Sequence, residues 1–246
     1  GTVLRPDDAL GSAGAISVEV LLETEIPPDA LAGGVPVGGL SGLTWDPLCG
    51  DLYAVSDDPG ERGPARFYRM RLELDGAATQ GAGEVVVVEA IPVRDVDGGG
   101  LGRGTADLEG LALARDGSLW LSSEGHVARG VAPFIRRHTV DGSFIAELEL
   151  PPHVLPGPST GVRHNLAFEG ISVTEDGRWL FATVESALLQ DGPEASHERG
   201  SRARILRWDL VAGGGPREFA YDVEPVPDLP VEPRGQAVTG VSEIVA

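Results

Sequence analysis

The sequence predicts an all-β fold, a β-propeller of four-stranded antiparallel blades, and three observations predict it. First, three segments superpose almost residue for residue: GGLSGLTWDPLCGDLYAVSDD (38–58), ADLEGLALARDGSLWLSSEGH (106–126) and LAFEGISVTEDGRWLFATVES (166–186). Second, each reads as a short apolar strand, a tight turn at Cys49-Gly50, Asp116-Gly117 or Asp176-Gly177, and a second strand carrying an aromatic. An Asp-Gly pair between alternating apolar runs is a strong local hairpin signal, because both central positions of such a turn tolerate positive φ. Third, two more strand-like runs follow each segment in matching order, and four antiparallel strands per repeat is the pattern of a propeller blade.

The register can be followed element by element. Tyr53, Trp120 and Phe181 are equivalent, and four residues later come Asp57, Glu124 and Glu185. The third strands are ARFYRMRLEL (65–74), PFIRRHTV (133–140) and ARILRWDL (203–210), in which Arg69, Arg137 and Arg207 align. The fourth are EVVVVEAIPV (84–93), SFIAELELP (143–151) and REFAYDVEP (217–225), entered through Asp75-Gly76, Asp141-Gly142 and the glycine run 213–215. Equivalent sites at 41, 109 and 169 lie 68 and then 60 residues apart. A minimal blade needs roughly 40–45, so the stretches 94–106, 151–165 and 190–202 are expected to be loops. A sandwich would give alternating strands but not this repeated register. SEIVA (242–246) matches FEGIS (168–172) and sets Glu243 opposite Glu169. The expectation is one propeller domain over 1–246, incomplete at its C-terminal end, with about three and a half blades.

Composition narrows the classes of function. The chain has 246 residues, 41% hydrophobic, with 19 basic residues, all Arg, against 38 acidic, a formal net charge of -19. Such a surface offers no basic patch for phosphate backbones, so no nucleic acid partner is expected. It suits hard cations such as Ca²⁺, which relieve repulsion between crowded carboxylates. No apolar run approaches the roughly 18 residues that span a bilayer. The single cysteine, Cys49, permits no internal disulfide and no cysteine-based zinc site. The chain begins at Gly1 with its only methionine at 70, and so reads as a processed or truncated product without a signal peptide. A monomer is expected.

The repeated acids are the candidate chemistry. A hairpin returns the chain to its origin, so the start of each first strand neighbours the end of the second. Glu109 then lies by Glu124, Glu169 by Glu185, and Ser41 by Asp57 and Asp58. With the first strands innermost, these groups converge on one rim of the central channel. Two charges 4–5 Å apart repel by roughly 3–4 kcal/mol at an effective dielectric near 20, so the set must bind cations, pair with Arg or hold protons. The expected metal ligands are Asp57, Asp58, Glu109, Glu124, Glu169, Glu185 and Glu243, with Glu109, Glu169 and His164 as catalytic groups. Arg62, Arg66, Arg163, Asn165 and His126 are expected to bind substrate. The plain alternative is that these acids cap strand ends. No G-x-S-x-G elbow, H-E-x-x-H pair or Walker A loop is present.

The order GLSGLTWD, LYAVSDD, RFYRMRL, then LEGLAL, DGSLWLSSEGH, PFIRRHTVDG, then RHNLAFEGISVTEDGRWLFATVES and SEIVA resembles the phytase-like family, described as "esterase-like activity of phytase", over about residues 38–246. Its members continue past the SEIVA-type strand into an LxVLER-type strand that this sequence lacks. The resemblance implies a calcium-associated propeller, secreted or periplasmic, that hydrolyses a small anionic phosphoester or ester. Two other functions are compatible with the residues. One is a gluconolactonase-type lactonase, which needs an Asn and Asp pair around its metal where this segment offers Asn165. The other is a non-catalytic calcium-binding propeller that serves as an interaction module.

Overall fold

In the computed structural model, residues 3–4, 23–74, 83–227 and 238–246 are described, and the expected Asp75-Gly76 turn lies outside them. Fifteen strands run in chain order: β1 (Val3–Leu4), β2 (Leu31–Ala32), β3 (Val35–Pro36), β4 (Leu40–Asp46), β5 (Asp51–Ser56), β6 (Arg66–Leu74), β7 (Gly83–Pro92), β8 (Leu108–Leu113), β9 (Leu119–Ser123), β10 (Phe134–His138), β11 (Phe144–Glu147), β12 (Phe168–Val173), β13 (Trp179–Val184), β14 (Ser201–Asp209) and β15 (Arg217–Val223). Twelve of these strands form three antiparallel blades, β4-β5-β6-β7, β8-β9-β10-β11 and β12-β13-β14-β15, as the repeat predicts. The architecture is all-β and propeller-like, and the sheets do not close into a ring among the described residues. Two elements go beyond the repeat: β1 adds in parallel to the outer edge of the third blade, and β2 pairs with β3 as a small hairpin.

Two of the three inner hairpins turn by a route that differs from the sequence expectation, while the first closes a four-residue loop, with the Gly50 N–H donating to the Asp46 carbonyl at 2.9 Å. At Gly117 and Gly177 the N–H groups donate to the carbonyls of Ala114 and Thr174, three residues back, and Ala114 and Thr174 close the next pairs with Ser118 and Trp179. Only the glycines are left-handed, at φ 83° and 71°, while Asp116 and Asp176 are not. These are three-residue loops ending in a left-handed bulge position, and not two-residue turns with two positive φ values. The reason lies in the aspartates, whose carboxylates accept the N–H groups of Ser118 and Arg178 and so stabilise a right-handed conformation at the Asp itself, the second loop residue.

The predicted register is realised across the strands. Tyr53 faces Arg69, Trp120 faces Arg137 and Phe181 faces Arg207. Apolar residues pack between blades. Tyr53, Val55, Phe67 and Ile91 of the first blade meet Leu108, Leu111, Leu121 and Phe134 of the second. Trp120 and Ile135 of the second meet Phe168, Ile171, Leu180, Leu206 and Trp208 of the third. A middle strand has a blade on both sides, which is why β9 is buried at every position.

One irregularity recurs and positions the site. Each inner pair shifts register at the same place, between Leu40 and Leu43, Leu108 and Leu111, and Phe168 and Ile171. The extra residue is a β-bulge, a device that re-aims side chains, and it falls on Ser41-Gly42, Glu109-Gly110 and Glu169-Gly170. These glycines let inner strands meet backbone to backbone. A Cβ on Gly42 would lie 2.7 Å from the Glu109 carbonyl oxygen, one on Gly110 would strike the Glu169 carbonyl oxygen, and one on Gly170 would lie 2.6 Å from Glu243 Cα. Residues 238–246 therefore run beside β12 as β12 runs beside β8, without strand assignment. Val241 N–H donates to the Glu185 carbonyl at 3.0 Å, and Ala246 N–H to Ser172 Oγ at 3.0 Å.

Candidate functional site

The bulged inner strands bring five carboxylates from four strand ends into one cluster. Oxygen atoms of Asp57, Asp107 and Glu109 lie within 4.8 Å of one another, as do those of Glu109, Glu124 and Glu169. Glu109 belongs to both triads. Asp57 follows β5, Glu124 follows β9, and Glu109 and Glu169 sit on the bulges of β8 and β12. Glu124 is buried, Asp57 is exposed, and the other three are half-buried.

The hydrogen bonds show how the cluster is held. Ser41, which stands where the later repeats have Glu, donates to Glu109 Oε2 at 2.8 Å across the first blade junction. Ser122 Oγ accepts the Gly110 N–H at 2.8 Å and donates to the Glu169 carbonyl at 2.8 Å, tying the second bulge to the third. Glu124 Oε1 accepts the Ala167 N–H of the next blade. Among the described residues, Asp107 Oδ1 is buried and has no hydrogen-bond partner.

Without counter-charge the cluster holds its protons. Burial pushes Glu169 up to about 9, and the neighbouring Glu109, Glu124, Glu185 and Asp57 add to it. Burial raises Glu109 to about 8, against the Ser41 hydrogen bond and with repulsion from Asp57, Asp107 and Glu124. Burial raises Glu124 to about 7, opposed by the Ala167 N–H. Asp107 is also raised, by burial and then by Asp57, while His126 and His164 act in the opposite direction.

These shifts set the sign of a pH dependence. A carboxyl whose folded pKa lies above its unfolded value binds more protons folded than unfolded, so stability falls as pH rises from about 4.5 through the folded values. Lowering the pH of the metal-stripped chain from about 9 to about 5 is expected to raise Tm by roughly 5–10 °C. Thermal melts in chelator check this, and a flat profile over that range would contradict it. The window is separate from acid unfolding: Asp116, held near 2 by Ser118 and Arg137, contributes stability above the ordinary carboxylate range and loses it only as pH falls towards 2.

The remaining expected residues divide into near and far. His126 and His164 stack with ring centroids 4.7 Å apart, and His126 Nδ1 is buried without a partner among the described residues. Both act electrostatically on Asp107, which places them at the cluster. Glu185, half-buried, bears on Glu124 and Glu169, and Glu243 is carried by the segment beside β12. Asp58 is engaged elsewhere. It pairs with buried Arg66 at 2.7 Å and accepts the N–H groups of Gly60, Glu61 and Arg62, which hold its carboxyl down despite burial. Arg163 is turned to the loop after β13, donating to the carbonyls of Ala187 at 2.9 Å and Gly192 at 2.6 Å. Asn165 is exposed and left-handed at φ 57°, the turn position that Asn tolerates best among residues with a side chain. Arg62 lines a pocket against Asp57.

Asp107 is the ligand candidate that the repeat misses. It aligns with Gly39 and Ala167, so a search for recurring acids passes over it. The available signal is local: Asp107 lies just ahead of β8 and two residues before Glu109, and in extended chain alternate residues share a face.

Fold and site together define an all-β, propeller-like protein with an acidic cluster at the inner-strand ends. The family model described as "Phytase-like: Esterase-like activity of phytase" matches residues 35–246, and the chain belongs to that family. It is also 25% identical over 152 residues to an "Uncharacterized secreted protein" of Arthroderma benhamiae, a match that covers 49% of this chain and 28% of that protein. The match therefore spans less than a third of that relative's length. Among the described residues no helix is long and apolar enough to cross a membrane.

Proposed function

We propose that this chain is an exported, divalent-metal-assisted hydrolase of phosphoesters or related anionic esters. The observation that carries the reading is the pair of oxygen triads sharing Glu109. The donor set fits a hard cation: it is all carboxylate oxygen, without Cys or His, which suits Ca²⁺ or Mg²⁺ better than zinc. The orphaned Asp107 Oδ1 fits it too, since a buried acceptor without a donor is costly. Asp57, Asp107, Glu109, Glu124 and Glu169 would hold the metal, and we favour Ca²⁺.

A bound cation supplies Lewis-acid polarisation of the ester and a more acidic water. The chain's own groups do the rest. Glu109 and Glu169, which hold their protons more tightly than ordinary carboxyls while the cluster lacks a counter-charge, would give them up to a cation, and Glu169 would then accept a proton from the attacking water. His164, exposed and stacked on His126, donates a proton to the leaving oxygen. His126 fixes the plane of that ring. The family membership and the secreted relative support hydrolysis and export.

A second reading is favoured by one contact. Glu124 is committed to the Ala167 N–H across the second blade junction, as it would be if cation binding only braced the blades of a non-catalytic module. Assay of aryl phosphate, aryl ester and phytate, with Ca²⁺ and with chelator, separates the two. Turnover that requires metal supports the hydrolase. Metal-dependent thermal stabilisation without turnover on any substrate supports the module.

A further inference from the structure

A pocket of about 370 Å³ adjoins the carboxylate cluster, lined by Gly38, Gly39, Asp57, Glu61, Arg62 and Arg66 among others. Asp57 is shared between pocket and cluster. Arg66 brings no free charge to it, because its guanidinium is neutralised by Asp58 at 2.7 Å and its Nε donates to Tyr68 Oη at 2.7 Å. Glu61 is exposed and faces Arg103 at 4.0 Å. Arg62 differs. Its backbone N–H is fixed by Asp58 at 3.2 Å, yet among the described residues its guanidinium makes no hydrogen bond or ion pair. It lies along the pocket wall formed by Gly38, with Nη1 4.0 Å from where a Cβ would stand. The loop is thus anchored by the Asp58–Arg66 pair while one guanidinium is left open beside the cluster.

We infer that this pocket is the subsite for a single anionic group of the substrate, a carboxylate or phosphate, held by Arg62, so that the enzyme acts on mono-anionic esters and discriminates against inositol polyphosphates. The inference rests on the hydrolase reading above. A guanidinium binds one carboxylate or phosphate bidentately. Further phosphates would meet Asp57 and the negative charge that five clustered carboxylates keep beyond what one divalent cation neutralises, with no second open cation among the described residues that line the pocket. The volume is also near the lower end for ligand sites, roughly 300–1,000 Å³, and suits one ester with a short anionic arm.

The test uses the full chain with Ca²⁺ and a matched pair of esters, p-nitrophenyl butyrate and mono-p-nitrophenyl succinate, together with p-nitrophenyl phosphate and phytate. The succinate is expected to be preferred to the butyrate, and Arg62→Gln to reduce that preference at least about tenfold, chiefly through KM. Phytate is expected to turn over at least about a hundredfold more slowly than the aryl phosphate. An unchanged preference in the variant, or phytate turned over as well as the aryl phosphate, overturns the inference. If no ester is hydrolysed, the hydrolase reading fails. Inorganic phosphate binding to the metal-stripped chain then decides on the pocket: binding lost in Arg62→Gln upholds an anion subsite, and equal or absent binding in both proteins refutes it.

Discussion

Glu109→Gln is expected to weaken divalent-cation binding at least roughly a hundredfold and to abolish metal-dependent turnover, while raising the melting temperature of the metal-free protein. The two effects have one cause. Glu109 contributes to both oxygen triads, so its removal lowers the ligand count and charge of both at once, and affinity at oxygen sites follows that count. The same carboxyl is pushed up to about 8 by burial and by Asp57, Asp107 and Glu124. The folded state therefore loses stability relative to the unfolded chain as pH rises from about 4.5 to about 8, and above that pH the full penalty is present; Gln avoids it. At about pH 9 a gain of roughly 3–6 °C is expected. Glutamine can still accept the Ser41 hydroxyl, which now serves Glu109 Oε2, so the packing is retained. Calcium-dependent shifts in Tm and steady-state rates in wild type and variant measure both halves. A variant that keeps its cation-dependent shift, or melts lower than wild type in chelator, would sink the account of Glu109.

Gly110→Val is expected to cost about 3 kcal/mol or more and to lower Tm by roughly 6–12 °C. A Cβ there would strike the Glu169 carbonyl oxygen and lie 2.5 Å from Ser122 Oγ and 2.8 Å from Ile171 Cγ2. Small clashes are relieved when the neighbour is the end of a flexible side chain. Here the first neighbour is backbone on the bulge of β12, itself held by the Ser122 hydroxyl, so relief means separating the second and third inner strands. That separation would also pull Glu169 from Glu109. Gly215→Val serves as the control, since nothing lies within 4 Å of its Cβ position and its φ is not left-handed; a change within about 0.5 kcal/mol is expected. Equal losses at both positions, read by chemical denaturation, would show that the glycines of the bulge are not there for close approach.

The blades were readable because the repeat is written in residue types with local consequences. Aromatic positions, Asp-Gly turns and aligned arginines each fix one register, and all agree with the cross-strand pairs. The turn geometry was not readable, because an Asp-Gly pair serves two hairpin types and the choice depends on which N–H groups the Asp carboxylate accepts. Glu109, Glu124 and Glu169 were found by recurrence. Asp107 was not, because a ligand needs only to point the right way in one blade, and the equivalent positions of the other two are Gly39 and Ala167. Asp58 shows the opposite difficulty: it sits next to Asp57 in sequence, yet successive residues at a strand end point apart, and its partner is the buried guanidinium of Arg66 eight residues on.

A crowded carboxylate cluster of this kind exchanges protons for a cation. Titration of Ca²⁺ into the chelator-stripped chain near pH 7.5, in two buffers of different ionisation enthalpy, measures this directly. Glu169, up to about 9, and Glu109, up to about 8, still hold most of their protons there. Binding is expected with release of roughly one to two protons per chain, seen as a heat that differs between the buffers. Absence of binding at millimolar calcium, or binding with the same heat in both buffers, would contradict it.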